Sequence, residues 1–442
     1  MRAEMTKKIF LSLILFILFS GADKSKSPLG YREDAVVVKG KEIPSMLGAE
    51  IERFSLFRWS GKNFEPVAFQ IDERTQEGNF IFPNGKKKNP ELSNGQLDAL
   101  DELVFMAWDT GASAPEPISF PEKASQGVEI IITDDIQGKK ASVYLFSFAN
   151  SPPRSEIDYV EHFVEEGRNY VRSSSYLFGE PIKQGFFDRL HLVSPDGVVA
   201  ENMVDRIKGR GFIRSLGGLV KFNAGEQDTP AELVAWIDGP VRVVRRMEGG
   251  VNLFGLKIKL AGGSDNIFYQ NYFYTPIFFT LPAGASSIMK GSYMIYTIDF
   301  NKNFLPSYYF DGVNKEPVVL DGRMDERERN LDMSSDHNWY AVGGEKGNLV
   351  VRMIIPVQWK DYATMTAFYV DDESQSDPPE SEIGRHQPGF KLSGMFEAPS
   401  GKYNYYLYYM VSDKKLTQEN VGVWLDILDH PLKITSKALT KK

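Results

Sequence analysis

The chain contains no cysteine among its 442 residues. Disulfide bonds, thiolate metal sites and the lipid-accepting cysteine of bacterial lipoproteins are therefore excluded. A chain of this length does not need disulfides, because a large domain buries enough apolar surface without them. The sequence thus predicts packed cores as the source of stability.

Histidine is scarce, and common catalytic motifs are absent. No pair of histidines has the His-Glu-x-x-His spacing of a zinc-hydrolase helix, and neither a Gly-x-Ser-x-Gly elbow nor a phosphate-binding loop occurs. The glycine of Arg210-Gly211-Phe212 is interpreted as a turn residue, because no strand–helix alternation surrounds it. No internal repeat of fixed period is present either, which argues against propellers and solenoids. The histidines are His162, His191, His337, His386 and His430.

Long apolar runs are missing except near the first residue. Ile9–Phe19 is apolar apart from one serine, follows the basic residues Lys7 and Lys8, and precedes the small residues Ser20-Gly21-Ala22. This pattern predicts a secretory signal peptide over residues 1–22. The run is too short for a transmembrane helix, which needs roughly 20 apolar residues. We therefore expect an exported protein, periplasmic or extracellular, with no membrane span after cleavage.

The formal net charge of −8 limits the kinds of partner. An acidic surface of mixed charge argues against nucleic acid and anionic lipid. A glycan or an envelope protein remains possible as a partner, and the oligomeric state stays open.

Aromatic residues make up 13% of the chain and fall in short alternating runs separated by turn-forming residues. This pattern predicts many strands and few helices, hence a mostly β fold. The length indicates two domains, and a proline-containing linker, Asn150–Ser155, divides them. We predict an N-terminal β-sandwich over residues 28–150 and a larger antiparallel β-sandwich over residues 156–435.

Several local predictions follow from turn and period signals. Glu52–Trp59 and Phe64–Ile71 should form a hairpin. Glu156–Gly167 fits either a helix or a strand, and the composition that follows favours a strand. The alternation in Val421–Leu428 predicts a strand. Asp371–Gln387 is acidic and nearly free of apolar residues, which predicts a mobile loop.

One stretch joins two strand-like runs through a polar loop. It begins with Gln70-Ile71-Asp72-Glu73 and ends with Asp101-Glu102-Leu103-Val104-Phe105. This pair of motifs resembles a signature of uncharacterised exported bacterial β-sandwich proteins, some similar to carbohydrate-active sandwich proteins. Gly239-Pro240-Val241-Arg242 adds to the resemblance. The resemblance implies fold and compartment, and it carries no catalytic residue.

The same stretch holds a candidate calcium site. Read as a calcium loop, it places Asn94 at the fifth position, Asp98 at the ninth and Asp101 at the twelfth. Gln70, Asp72 or Asp109 would have to complete the shell. The alternative is that these groups cap turns, as Asp and Asn commonly do. The candidate metal ligands are Asn94, Asp98, Asp101 and Asp109.

A second candidate site combines cations with an aromatic ring. Arg242 and Arg246 should point to one face of a strand close to Trp236, and Arg245 to the other. Such a surface could hold an acidic polysaccharide by ring stacking and by pairing with carboxylates. The alternative is that these arginines pair with nearby acidic residues.

Two functions from different classes remain. The first is an exported, non-catalytic envelope protein that binds glycan or protein, with a possible structural calcium. The second is a carbohydrate-active enzyme similar to a polysaccharide lyase, in which an arginine neutralises a uronate carboxylate and a tyrosine or histidine acts as base. The second function requires Arg242, His191 and tyrosines to meet in one groove.

Overall fold

The computed structural model describes residues 24, 27–182, 184–215, 218–253, 256–258 and 263–441. The predicted signal peptide, residues 1–22, lies outside this range. None of the helices that the structure describes is long and apolar enough to cross a membrane.

Strands dominate the described residues, which confirms the mostly β prediction. The described residues include three α-helices: α1 (Ala285–Ile288), α2 (Glu326–Arg329) and α3 (Gln418–Asp429). The strands are β1 (Ala35–Lys39), β2 (Phe54–Trp59), β3 (Phe64–Pro66), β4 (Gln70–Asp72), β5 (Asn84–Gly85), β6 (Glu102–Met106), β7 (Ala124–Asp134), β8 (Lys139–Phe148), β9 (Val160–Glu165), β10 (Arg168–Ser173), β11 (Tyr176–Pro181), β12 (Arg189–Val193), β13 (Val199–Asn202), β14 (Val204–Ser215), β15 (Val220–Ala224), β16 (Ala231–Asp238), β17 (Val243–Gly249), β18 (Val251–Leu253), β19 (Leu256–Ile258), β20 (Gly263–Phe268), β21 (Tyr272–Leu281), β22 (Tyr293–Phe300), β23 (Ser307–Asp311), β24 (Val318–Leu320), β25 (Trp339–Gly344), β26 (Gly347–Ile354), β27 (Thr364–Phe368), β28 (Asp371–Asp372), β29 (Arg385–His386), β30 (Gly389–Ser393), β31 (Gly401–Ser412) and β32 (Lys433–Leu439).

The chain forms two compact units that are interleaved along the sequence. The first unit contains the described residues up to Glu161 together with Ile237–Val243 and the residues from Glu419 onward. The second contains His162–Trp236 and Val244–Gln418. The predicted limits, 28–150 and 156–435, assume consecutive domains and so differ from these units at three places.

The first unit is a sandwich of two sheets, as predicted. One sheet has the strand order β1-β6-β4 and the other β3-β2-β8-β7-β32. Val36 and Phe105 from the first sheet share a core with Leu56 and Ile130 from the second. The core follows from the alternation of apolar residues, which turns one side of each strand inward. The strand β32 pairs antiparallel with β7.

The second unit is the larger antiparallel sandwich. Its main sheet runs in the order β24-β23-β25-β26-β31-β21-β20-β17-β16, and two further sheets run β15-β14-β22-β30-β27 and β13-β12-β11-β10-β9. Tyr340 of the main sheet contacts Phe390 of the first of these, with ring centroids 5.1 Å apart. Phe273 of the main sheet contacts Phe178 of the second at 5.4 Å. Aromatic rings therefore form much of the core between the layers.

The local predictions had mixed outcomes. The hairpin of β2 and β3 is confirmed, and the ambiguous Glu156–Gly167 segment contains strand β9, as favoured. The strand predicted over Val421–Leu428 is wrong, because these residues form α3. Its buried residues are Val421, Trp424 and Ile427, and this spacing of three is helical rather than alternating.

The segment Asp371–Gln387, predicted as a mobile loop, is hydrogen-bonded at its ends and in its middle. Its ends form the antiparallel pair β28 and β29. Between them, the Ser381 amide N–H lies 3.0 Å from both carboxylate oxygens of Asp205. The segment thus has a defined position on the second unit.

Candidate functional site

One face of the β15-β14-β22-β30-β27 sheet is polar and aromatic, unlike its buried opposite face. Residues two apart on a strand share a face, and so do residues paired across strands. The opposite face contributes buried side chains such as Phe390, Leu392 and Met365 to the core. The polar face carries Lys208, Arg210 and Phe212 on β14; Tyr293, Ile295 and Thr297 on β22; Gly389, Lys391 and Ser393 on β30; and Thr364, Thr366 and Phe368 on β27.

A cleft of about 410 Å³ lies on this face. Gly389 contributes no side chain between Thr297 and Phe368, which lowers the surface there. A Cβ on Gly389 would lie 2.0 Å from the carbonyl oxygen of Tyr296, so only glycine fits this position. The cleft is lined by Arg210, Phe212, Ile295, Thr297, Phe368, Val370, Asp377, Arg385 and Gln387.

The polar end of the cleft is a network of planar groups around Asp377. The Arg210 guanidinium donates to the Asp377 carboxylate, and it also donates to the Pro378 carbonyl oxygen at 3.1 Å. The Gln387 side-chain amide donates to Asp377 Oδ2 at 2.8 Å. Arg385 in turn donates to Gln387 Oε1 at 3.3 Å. Each group is therefore held in place by another, which limits the rotamer entropy that a ligand would have to remove.

Beneath this network lies a buried ion pair. Lys208, which is 1% exposed, donates to Asp299 Oδ2 at 2.8 Å. Asp299 also accepts a hydrogen bond from the Gln387 side-chain amide at 2.8 Å. Burial raises the pKa of Asp377, but hydrogen bonds from Arg210 and Gln387 and the charge of Lys208 outweigh it and bring that pKa to about 2. Asp377 is accordingly ionised at neutral pH.

The cleft also has an apolar lining, which consists of Phe212, Ile295, Phe368 and Val370. The Phe212 ring stacks on the Tyr293 ring with centroids 4.6 Å apart and an angle of 12° between the planes. The Lys391 ammonium lies 4.8 Å from the centroid of the same Tyr293 ring. Phe212 and Phe368 are half-buried, so part of each ring is accessible. The cleft thus combines aromatic surface with fixed donors and acceptors.

The residues predicted to bind a glycan lie elsewhere. Trp236 and Arg246 belong to the second unit: the Trp236 ring lies 5.0 Å from the His162 ring, and Arg246 pairs with Asp265 at 2.7 Å. Arg242 belongs to the first unit and is 2% exposed. None of the three lines the cleft described above.

Arg242 and the signature stretch form a buried clamp in the first unit. Arg242 Nε donates to Asp72 Oδ2 at 2.7 Å, and its NH2 group donates to Glu102 Oε2 at 2.6 Å. The Gln70 side-chain oxygen accepts the backbone N–H groups of Val241 and Arg242 at 3.0 and 2.8 Å. The two motifs and the Gly-Pro-Val-Arg segment therefore form one hydrogen-bonded cluster.

Gly239 completes this clamp. A Cβ at this position would lie 2.4 Å from the Gln70 side-chain oxygen. A glycine is thus required for the segment to pass this close to Gln70. In this structure the motifs that carry the family resemblance have a packing role.

The candidate calcium ligands each form hydrogen bonds with other protein groups. Asn94 donates to Asp98 at 3.0 Å, while the Asp101 carboxylate accepts the backbone N–H groups of Arg74 and Asp98, both at 2.7 Å. Both Asp109 oxygens lie within 3.0 Å of the Tyr159 hydroxyl. Across the described ranges, which include all four residues, no group of three or more His, Cys, Asp or Glu is placed to hold a metal ion.

Structural calcium therefore stays a prediction, and chelation tests it. We expect excess EDTA to leave the melting temperature unchanged, because backbone and side-chain donors already satisfy these carboxylates. Differential scanning fluorimetry with and without EDTA, followed by added calcium, measures this. A melting temperature that falls with EDTA and recovers with calcium would establish the ion instead.

The groups required for a lyase are divided between the units. His191 belongs to the second unit, where its Nδ1 lies 2.9 Å from the Ala200 carbonyl oxygen. Arg242 belongs to the first. Neither unit taken by itself assembles the predicted combination of Arg242, His191 and tyrosines.

The cleft was not predicted from the sequence, because its residues were assigned to a turn and to a mobile loop. Gly211 is not a turn residue but lies inside the long strand β14. The alternation of Lys208, Arg210 and Phe212 in that strand was the available signal, since period-two polar and aromatic residues indicate an accessible sheet face. Asp377 was not predicted, because it lies in the segment interpreted as a loop.

Comparison with known proteins identifies no family. No family model and no curated protein matches the chain. Among solved structures, an alpha-mannosidase from Enterococcus faecalis has a TM-score of 0.47 and 9% identity over 92% of this chain and 45% of that one. A glycosyl hydrolase family 38 protein from Enterococcus faecalis has a TM-score of 0.41 and 8% identity over 92% of this chain and 46% of that one.

A beta-arabinopyranosidase has a TM-score of 0.21 and 11% identity over 57% of this chain and 38% of that one. The chain thus spans less than half the length of each of these three structures. At these scores the similarity does not identify a family for the chain.

Proposed function

We propose that this chain is an exported, non-catalytic β-sandwich protein that binds a glycan in the cleft of its second unit. One observation carries the proposal: the cleft places the half-buried rings of Phe212 and Phe368 beside the polar groups of Arg210, Arg385 and Gln387. A sugar ring has an apolar face and a rim of hydroxyl groups. Aromatic rings suit the face, while planar side chains with both donors and acceptors suit the rim.

Preorganisation supports binding at this site. Arg385 already donates to the Gln387 side-chain oxygen, so these two groups are positioned before a ligand arrives. A cleft of about 410 Å³ falls in the size range of small-molecule sites. Export is part of the proposal and rests on the predicted signal peptide; a mature chain that begins after residue 22 in a periplasmic or extracellular fraction would support it.

The test is binding of an oligosaccharide panel, measured by isothermal titration calorimetry on the wild-type chain and on Phe212→Ala. We expect the variant to bind its best oligosaccharide about tenfold more weakly, because it loses about 1.4 kcal/mol of ring contact. Tyr308→Ala is the matched control, since Tyr308 is also an accessible aromatic residue of the second unit but lies on β23. No binding by the folded wild-type chain, or equal losses in both variants, would contradict the proposal.

The same incubation distinguishes the enzymatic alternative. A lyase acting on a uronate polymer leaves an unsaturated sugar that absorbs in the ultraviolet, so absorbance is recorded during the titration. We expect binding without a rise in absorbance. A rise that requires the folded chain would show that the protein is an enzyme.

A further inference from the structure

The cations at the polar end of the cleft share one carboxylate. Arg210 donates to Asp377 Oδ1, while Asp377 Oδ2 lies 3.3 Å from Lys208 Nζ and 3.8 Å from Arg385 Nε. Gln387 adds an amide donor to Oδ2 at 2.8 Å. Several donors and three positive charges around two oxygens are the features of a carboxylate-binding site.

The sheet supplies two of these four donor residues, whereas the loop between β28 and β29 supplies the carboxylate. Lys208 and Arg210 project from β14, while Arg385 belongs to β29 and Gln387 directly follows β29. Asp377 lies in the middle of the loop, and its side chain reaches back to the sheet. The side chains of Arg385 and Asp377 are 22% and 15% exposed, so solvent reaches this contact.

The cations differ in what they would keep without Asp377. Lys208 would retain Asp299 at 2.8 Å, and Arg210 would retain Glu226 at 3.5 Å. Among the residues that the structure describes, Asp377 is the one carboxylate within 4 Å of Arg385. Moving Asp377 away would therefore leave Arg385 with hydrogen bonds to Gln375 and Gln387 but with no carboxylate within 4 Å among the described residues.

We propose that the glycan of this cleft carries a carboxylate, as a uronic acid does, and that Asp377 occupies the place of that carboxylate while the cleft is empty. The inference rests on the proposed glycan binding and names its ligand class. The sugar carboxylate takes the donors of Arg210, Arg385 and Gln387, and the sugar ring lies toward Phe212. Asp377 thus competes with the ligand, and binding displaces its side chain from the cations.

Asp377→Asn tests this competition. The amide has the shape of the carboxylate but no charge, so it should compete less well for the three cations. The probes are an oligogalacturonate and the same oligosaccharide with its carboxyl groups reduced to alcohols. We expect the ratio of the two affinities, uronate over neutral, to rise about tenfold over that of the wild-type chain. Asp372→Asn is the matched control, because Asp372 lies in the same segment and its carboxylate accepts hydrogen bonds only from Ser374 and Gln375 among the described residues.

Arg385→Gln provides the opposite change. It removes the cation that depends on Asp377, and the affinity ratio should fall about fivefold. Circular dichroism and the melting temperature establish that each variant is folded, and the Arg385 variant alone decides the matter if the Asp377 variant does not fold. Raised salt should weaken uronate binding and leave neutral binding nearly unchanged.

The outcomes separate this inference from the function on which it rests. An affinity ratio that does not rise in Asp377→Asn, or does not fall in Arg385→Gln, overturns the carboxylate inference while neutral binding upholds the glycan site. Binding of neither oligosaccharide by the folded wild-type chain overturns both. A tenfold rise in Asp372→Asn would show that loss of any charge in the segment suffices, which also contradicts the role of Asp377.

Discussion

Arg242→Met is expected to lower the free energy of unfolding of the first unit by about 3–5 kcal/mol. Methionine retains much of the volume of the side chain but leaves Asp72, which is 3% exposed, as a buried charge without its cation. Glu102 loses the same partner and keeps Arg74 at 2.7 Å. The cost arises mainly from the uncompensated carboxylate rather than from the lost contact itself.

Hydrogen exchange followed by mass spectrometry measures this loss, because peptides from β1 and β6 report on the first unit separately. Arg53→Met is the matched control: Arg53 pairs with Glu50, and both side chains are nearly half exposed. An exposed pair contributes about 1 kcal/mol or less. Equal losses of protection in the two variants would show that the clamp around Arg242 has no special role in stability.

The free energy of unfolding of Asp109→Asn, relative to that of the wild-type chain, is expected to be higher at pH 8 than at pH 5. Burial raises the pKa of Asp109 to about 7, against the lowering effects of the Tyr159 hydroxyl and the charges of Arg58 and Lys24. Between about pH 4 and pH 7 the folded chain therefore holds a proton that the unfolded chain releases. Stability from this group is present at acidic pH and decreases as the pH rises toward 7.

Asparagine does not titrate, so the variant lacks this decrease. About two pH units separate pH 5 from the folded pKa of about 7, and they correspond to about 3 kcal/mol, which is the upper limit of the relative gain between pH 5 and pH 8. Urea denaturation of both chains at pH 5 and pH 8 measures the difference, and contributions of other titrating groups cancel in the comparison. Asp98→Asn serves as control because Asp98 is exposed. A variant whose relative stability is the same at both pH values would contradict the expected protonation of Asp109.

The parts of the fold that depend on neighbouring residues could be predicted from the sequence. The β2–β3 hairpin follows from turn residues between two apolar runs, and the pairing of β7 with β8 follows in the same way. The helix α3 was mistaken for a strand because Val421, Val423, Leu425 and Ile427 alternate. Trp424, which is 4% exposed, lies between them and shows that the inward face has helical spacing.

The sites could not be predicted in the same way, since they depend on contacts between distant residues. Gln70 and Arg242 are 172 residues apart, and no local pattern shows that one accepts the backbone N–H of the other. The positive charge of Arg242 led to the prediction that it binds an acidic ligand, whereas in the structure it pairs with Asp72. In the cleft, Arg210 and Asp377 are 167 residues apart, so their pairing depends likewise on the complete sheet.

The position of β32 has a consequence for how the chain folds during synthesis. The ribosome makes β7 long before β32, yet the two are adjacent in one sheet. Until β32 emerges, β7 is an open edge with unpaired backbone groups, a kind of surface that recruits chaperones or other unpaired strands. A nascent chain that reaches Gln418 already holds every residue of the second unit and still lacks part of the first. The unit whose translation begins first is therefore the unit whose last residues are made last.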